Sequence, residues 1–157
     1  ETQEPGKLEW TQREIPEVPR DYPEPRMFGR LPAYVMYVRH ARGIRMRDVV
    51  FESLATEQRP AVVCDDVVSL EIAGLRVPLQ GNESPVIDLR QTKNVWIRDG
   101  CTPSDAPSLV RVAGADSAEI LVSGCDLLRA KQPVTMTEDA APASVTLANN
   151  ILRKNAS

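Results

Sequence analysis

Short alternating apolar pairs recur along this chain at a near-constant interval: Ile44-x-Met46, Leu70-x-Ile72, Val95-x-Ile97, Ile120-x-Val122 and Val145-x-Leu147. An i, i+2 pair puts both side chains on one face of a strand. The steps between first members are 26, 25, 25 and 25 residues (44 to 70, 95, 120 and 145). Two positions after each pair stands Asp48, Gly74, Asp99, Gly124 or Asn149, all residue types that tolerate a left-handed backbone. Each unit is therefore expected to bend at the same point. Three positions further on, Phe51, Val77, Thr102, Leu127 and Leu152 predict a second short strand after the bend.

Another set of β-rich runs precedes the pairs, at residues 33–38, 61–64, 86–89, 109–112 and 134–136. Pro32, Pro60, Pro85, Pro107 and Pro133 introduce them, and a proline at a strand's start removes no needed ladder donor. Polar corners at 39–43 and 91–94 separate the two sets. Helix is excluded, because no apolar stripe of helical period is sustained and prolines recur along the chain. Leucine-rich repeats would need a denser leucine signature. A β-sandwich has no reason to repeat one residue class at one phase. A solenoid has one, since equivalent residues stack about 4.8 Å apart along its axis. The pattern predicts an all-β chain, a right-handed single-stranded parallel β-helix of about five coils of roughly 25 residues over 31–157, behind a proline-rich arm or cap at 1–30.

Stacking predicts two buried columns, Ile44/Leu70/Val95/Ile120/Val145 and Met46/Ile72/Ile97/Val122/Leu147, with a polar substitution in mid-column breaking the fold. The residues between them, Arg45, Glu71, Trp96, Leu121 and Thr146, form an exterior ladder in which Arg45 and Glu71 pair. On the preceding strands the outer positions read Tyr37, Val63, Asp88 and then Arg39, Asp65, Arg90, so Asp65 sits between two arginines in a solvated ladder or a polar groove. In the arm, Pro5, Pro16, Pro19, Pro23 and Pro25 predict extended or irregular chain with apolar Trp10, Ile15, Val18 and Met27 spaced through it. Such an arm either wraps the first coil or is a long excursion from a larger protein. The second is favoured, because five coils make a short β-helix. The polar residues 153–157 finish the last coil, and an exposed first coil favours end-to-end pairing with another chain.

Composition narrows the function classes. A hydrophobic fraction of 42% with 26% charged residues supports a packed core. A net charge of −3 and a pI near 5.3 give no electrostatic case for nucleic acid or an anionic membrane. No apolar run approaches the roughly 18 residues of a membrane span. Cys64, Cys101 and Cys125 have no metal-ligand spacing and are read as small buried hydrophobes; with a single histidine, neither a metal site nor a cofactor is expected. No signal peptide is visible, and Glu1 in place of Met points to a chain that starts after an unseen segment.

Candidate ligand contacts are Tyr37, Arg39, His40, Asp65, Asp88, Arg90 and Trp96. Inverting glycoside hydrolysis needs two carboxyls about 6.5–9.5 Å apart, one of them a raised-pKa acid, and Asp65 and Asp88 fall in adjacent coils. Flanking arginines suit an ion-pair ladder better than a general acid. His40, beside Arg39 and Arg42, is placed to meet a uronate carboxylate or simply to face solvent at a corner; Trp96 is placed to stack on a sugar or to pack on a loop. Arg39, Arg42, Arg45 and Arg47 form a basic patch that suits an acidic polysaccharide.

Two blocks carry a family likeness. Asp21-Tyr22-Pro23-Glu24-Pro25-Arg26-Met27-Phe28-Gly29-Arg30-Leu31-Pro32-Ala33-Tyr34, continued by Tyr37-Val38-Arg39-His40, and Arg59-Pro60-Ala61-Val62-Val63-Cys64-Asp65-Asp66-Val67 resemble stretches of bacterial glycoside hydrolase family 28, the polygalacturonase-like pectinases. The resemblance spans about residues 15–130. It implies a parallel β-helix acting on galacturonan or rhamnogalacturonan, outside the cytoplasm or in the periplasm. In that family the blocks lie downstream of the catalytic coils. The family's Asn-x-Asp, Gly-His-Gly and Arg-Ile-Lys motifs are absent, and Asp65-Asp66 sits in the downstream block, so no catalytic residue is assigned. The resemblance thus implies the C-terminal coils of a pectinase-like hydrolase, not catalytic by themselves, whose partners are acidic polysaccharide or upstream coils of the same parent. The alternative is a stand-alone carbohydrate-binding or structural β-helix.

Overall fold

A computed structural model describes residues 6–18, 20, 24–52, 57–77, 83–102 and 106–153. Pro5, Pro19, Pro23, Asp21, Tyr22 and residues 154–157 lie outside these. The described chain is almost entirely β. Strands β1 (Met36–Arg47) and β2 (Val62–Ala73) each supply a whole rung, and β3 (Ile87–Arg90) with β4 (Lys93–Arg98) supply the third. The fourth rung is β5 (Ala106–Ala113) with β6 (Ala118–Ser123), followed by β7 (Asp126–Leu127). The fifth is β8 (Ala130–Met136) with β9 (Val145–Ala148) and β10 (Ile151–Leu152). Every pairing is parallel and joins a rung to the next, which makes a β-helix of about four turns bounded by five rungs, one fewer closed coil than the repeat count suggests.

The 25-residue interval becomes a register. Ile44 pairs with Leu70, Leu70 with Val95, Val95 with Ile120 and Ile120 with Val145; the second column runs likewise from Met46 to Leu147. Leu70, Ile72, Val95, Ile97, Ile120 and Val122 are at most 2% exposed. Burying an aliphatic side chain of this size contributes about 1.5–3 kcal/mol. At the last rung the column opens, and Leu147 is 45% exposed. The first face has its own columns, Val62/Ile87/Val110 and Cys64/Leu89/Val112, all fully buried. A third, narrower face carries the short strands: β10 pairs β7, and single bridges join Val50 to Arg76 and Cys101 to Asp126.

Three bends shape the cross-section. The expected one is present, with Asp48, Gly74, Asp99, Gly124 and Asn149 all at φ between 52° and 66°. Two further left-handed columns lie between the strand sets: His40, Asp66 and Gln91, continued by Gly114, and Gly43, Ser69, Asn94 and Glu119. A left-handed backbone costs a residue with a Cβ about 1–2 kcal/mol, and here the ladders on either side hold it in place. In the second of these columns the Asn94 amide also donates to Ser69 Oγ at 3.0 Å.

Two expectations need correction. Pro107 and Pro133 fall inside β5 and β8, not ahead of them. The β5–β8 ladder starts earlier than the ladders of β3, with Ala106 paired to Ala130 and Ser108 to Gln132, so both prolines lie inside strands. The arm is not free of helix either: Leu8–Gln12 form a 3-10 helix and Pro25–Phe28 one α-helical turn (α1), with Pro25 supplying the preset φ of a first helical position. From Thr11 to Ile15 the arm lies along the outside of the first face, both residues being 7% exposed and held through their carbonyls by Arg90 and Arg39. Among the described residues no helix is long and apolar enough to cross a membrane.

Candidate functional site

The outward positions divide into two surfaces separated by the left-handed corners. On the first face, expected to carry a solvated ladder or a polar groove, the Val63 and Asp88 positions are covered, while Arg39, Asp65 and Arg90 stay partly exposed. Val63 is fully buried and Asp88 is 1% exposed, because the arm lies over them. Asp88 is held by two arginines: Arg111, its partner one rung on, donates Nε to Oδ1 at 2.9 Å and Nη2 to Oδ2 at 3.0 Å. Arg90 donates Nε and Nη2 to Oδ2 at 3.0 and 2.7 Å. Four charge-assisted bonds, three to Oδ2 and one to Oδ1, satisfy the buried carboxylate and tie it to the two guanidinium groups.

The same guanidinium groups hold the arm. Arg90 Nη2 donates to the Thr11 carbonyl, and Arg39 Nη1 donates to the Ile15 carbonyl at 2.7 Å. With its amide oxygen turned toward Arg111, Gln12 accepts from Nη1 and Nη2 at 2.8 and 2.9 Å. Asp65 does sit in register between Arg39 and Arg90, but only Arg39 faces it, with Nε 3.4 Å from Oδ2, an ion-pair distance without hydrogen-bond alignment. Tyr37 hydrogen-bonds Asp65; burial first, and the Asp65 charge after it, push the phenol's pKa above its ordinary value. His40 stands at the corner as expected, yet its ring is engaged on both sides: Nδ1 lies 2.7 Å from Asp66 Oδ2 and Nε2 lies 2.9 Å from Glu17 Oε1. Between arm and sheet a cavity of about 510 Å³ remains, lined by Ile15, Pro16, Val18, Phe28, Leu31 and Tyr37 with Glu17, Arg39 and His40 at its polar side.

Trp96 belongs to the other surface, so the structure does not unite it with the six first-face candidates. Arg45, Glu71, Trp96, Leu121 and Thr146 are in register down the exterior of the second face. Glu71 is the electrostatic centre, taking Arg45 Nε at 2.8 Å, Arg47 Nη2 at 3.0 Å and Arg98 Nη2 at 3.0 Å. The bond from Arg98 foremost, then that from Arg47, holds its pKa below the usual carboxylate range. The indole of Trp96 is 45% exposed and fixed in orientation: Nε1 donates to Ser123 Oγ at 2.9 Å, and the Arg98 guanidinium lies 4.8 Å from the ring centroid. Beside it a depression of about 440 Å³ is lined by Gly43, Ile44, Arg45, Ser69, Leu70, Glu71, Asn94 and Trp96.

Sequence reasoning missed Arg111, Gln12 and Glu17 on the first face and Arg98 and Ser123 on the second, and it did not bring Asp66 to His40 or Arg47 to Glu71. Arg111 had a readable signal, since it follows Asp88 by the 23 residues of that coil (88 to 111). Among the described residues no group of three or more His, Cys, Asp or Glu side chains could hold a metal ion. The site must be read from its own geometry: no protein-family model matches the chain, and searches of curated proteins and of solved structures return no match either.

Proposed function

We propose that this chain is a non-catalytic polysaccharide-binding β-helix, the C-terminal part of a polygalacturonase-like hydrolase acting outside the cytoplasm, and that it takes an acidic polysaccharide on the Trp96 surface. The observation that carries the reading is the fixed, half-exposed indole on a sheet face that the described part of the arm does not cover. A pyranose ring lays its axial C–H groups flat on such a ring, and an indole already held by Ser123 and Arg98 loses little freedom on binding. Arg45 lies two rungs from Trp96, about 9–10 Å along the axis, which suits a chain of sugars more than a single one. Arg45 and Arg47 are more than half exposed and are the donors available to sugar carboxylates. The pectinase kinship is supported by the two sequence blocks alone, and the closed state of Asp88 supports a non-catalytic role.

The test is calorimetric titration with oligogalacturonate and with neutral oligogalactose, alongside a reducing-end assay. Saturable binding of the acidic oligomer only, weakened at least about tenfold in Trp96→Ala, is the expected result. Equal binding by Trp96→Ala, or none by the native chain, refutes the surface assignment. Release of reducing ends refutes the non-catalytic role.

A further inference from the structure

We infer that the N-terminal arm is a proton-sensitive latch over the first face, with His40 as the bolt between the arm's Glu17 and Asp66 of the second rung. The geometry demands a particular protonation state. Both ring nitrogens lie within hydrogen-bond distance of a carboxylate oxygen, 2.7 Å for Asp66 and 2.9 Å for Glu17. A carboxylate only accepts, so both contacts exist together only when the imidazole carries two protons. Neutral imidazole has one N–H, and its other nitrogen then points a lone pair at a carboxylate. Deprotonation therefore breaks one of the two contacts. Asp66 is fixed in the β2 ladder at the left-handed corner, whereas Glu17 belongs to the arm, so the arm's contact is the one that gives way.

The charged groups around the ring agree in sign. Glu17 faces it from the arm, Asp66 from the next rung, and Arg39 stands beside it in its own strand, 3.2 Å from the same Glu17 oxygen. The hydrogen bond to Asp66 first, then that to Glu17, raises the pKa of His40 above its ordinary 6.5 despite Arg39. The hydrogen bond from His40, then the Arg39 charge, lowers that of Glu17 below 4.5. A raised histidine value means the latch is complete below 6.5 and is lost as pH rises through the shifted value. A lowered carboxylate value means the latch holds above 4.5 and is lost as pH falls through its own shifted value. The arm is thus closed most firmly at mildly acidic pH. Release is local: Arg39 still holds the Ile15 carbonyl, and Thr11 and Gln12 stay on Arg90 and Arg111. What loosens is the wall of the 510 Å³ cavity that Glu17 and Val18 provide, since Glu17 is left with Arg39 as its one remaining partner of the two described.

His40 is the chain's single histidine, so its imidazole proton resonances report it without assignment ambiguity. The experiment is an NMR titration of native protein, Glu17→Gln and His40→Gln, following the imidazole and the backbone order parameters of residues 14–18. Gln91 already occupies the same corner column at φ 50°, so His40→Gln keeps a backbone known to accept glutamine. The expected result is a His40 value above 6.5 that falls toward 6.5 in Glu17→Gln. Order at 14–18 should drop through the native His40 value while 8–12 stays rigid, and His40→Gln should show no such step. An unmoved His40 value in Glu17→Gln, or the same step in His40→Gln, overturns the latch.

Discussion

Replacing Ile97 with alanine removes three carbons from a side chain that is 1% exposed and lies in register between Ile72 and Val122. At roughly 0.8 kcal/mol per buried methylene, the transfer part of the cost is about 2.4 kcal/mol. The rungs on either side are pinned by their own hydrogen bonds and cannot close the gap. About 50 Å³ left empty, at roughly 24 cal/mol per Å³, adds about 1.2 kcal/mol. The total is close to 3.5 kcal/mol. Leu147→Ala, in the same column, provides the internal control. Leu147 is 45% exposed and packs on one neighbouring rung only, so the same chemistry there should cost about 1 kcal/mol. Urea unfolding followed by far-UV circular dichroism measures both, with an unchanged slope showing that only stability moved. Costs that agree within about 0.5 kcal/mol would mean the column is not the continuous support that its register implies.

Asp88→Asn should cost about 3–5 kcal/mol in the same assay, because an amide cannot replace a carboxylate between two guanidinium groups and leaves their charges uncompensated beneath the arm; a loss below about 1 kcal/mol would show the clamp to be dispensable. The cysteines should separate by burial. Burial pushes the Cys64 thiol up to about 12 and raises Cys125, while Cys101 is only partly buried, so a disulfide-exchange reagent at mildly alkaline pH should label Cys101 alone in the folded protein and all three after denaturation. Fast labelling of Cys64 under native conditions would contradict the packing of the first face.

The interior was legible because a solenoid turns sequence interval into contact: Leu70, Val95 and Ile120 stack because they are spaced alike. The bend at Asp48, Gly74, Asp99, Gly124 and Asn149 was legible for the same reason, since one residue class recurs at one phase. The other two left-handed columns were not. Glu119 and Ser69 have no preference for positive φ, and their backbones are bent by the ladders above and below them. Tertiary pairing overrides local propensity there, and only residues with a propensity to express leave a mark in the sequence.

The exterior obeys different logic. Alternation correctly turned Asp88 away from the core columns, and nothing in its own repeat says what then covers it. That depends on the arm, which has no period and reaches Arg90 across 79 residues of sequence. The arm's carbonyls take guanidinium donors of Arg39 and Arg90, so the face richest in polar residues already spends most of its donors within the protein. Among the described residues the second face has no such cover, and its carboxylate is outnumbered by three arginines beside an exposed indole. Polar density along a strand is therefore a poor guide to a β-helix's ligand surface. The better guide is which outward residues keep donors and ring faces after the non-repeating chain has been laid down, and by that measure the surface around Trp96 is the one we propose for a ligand.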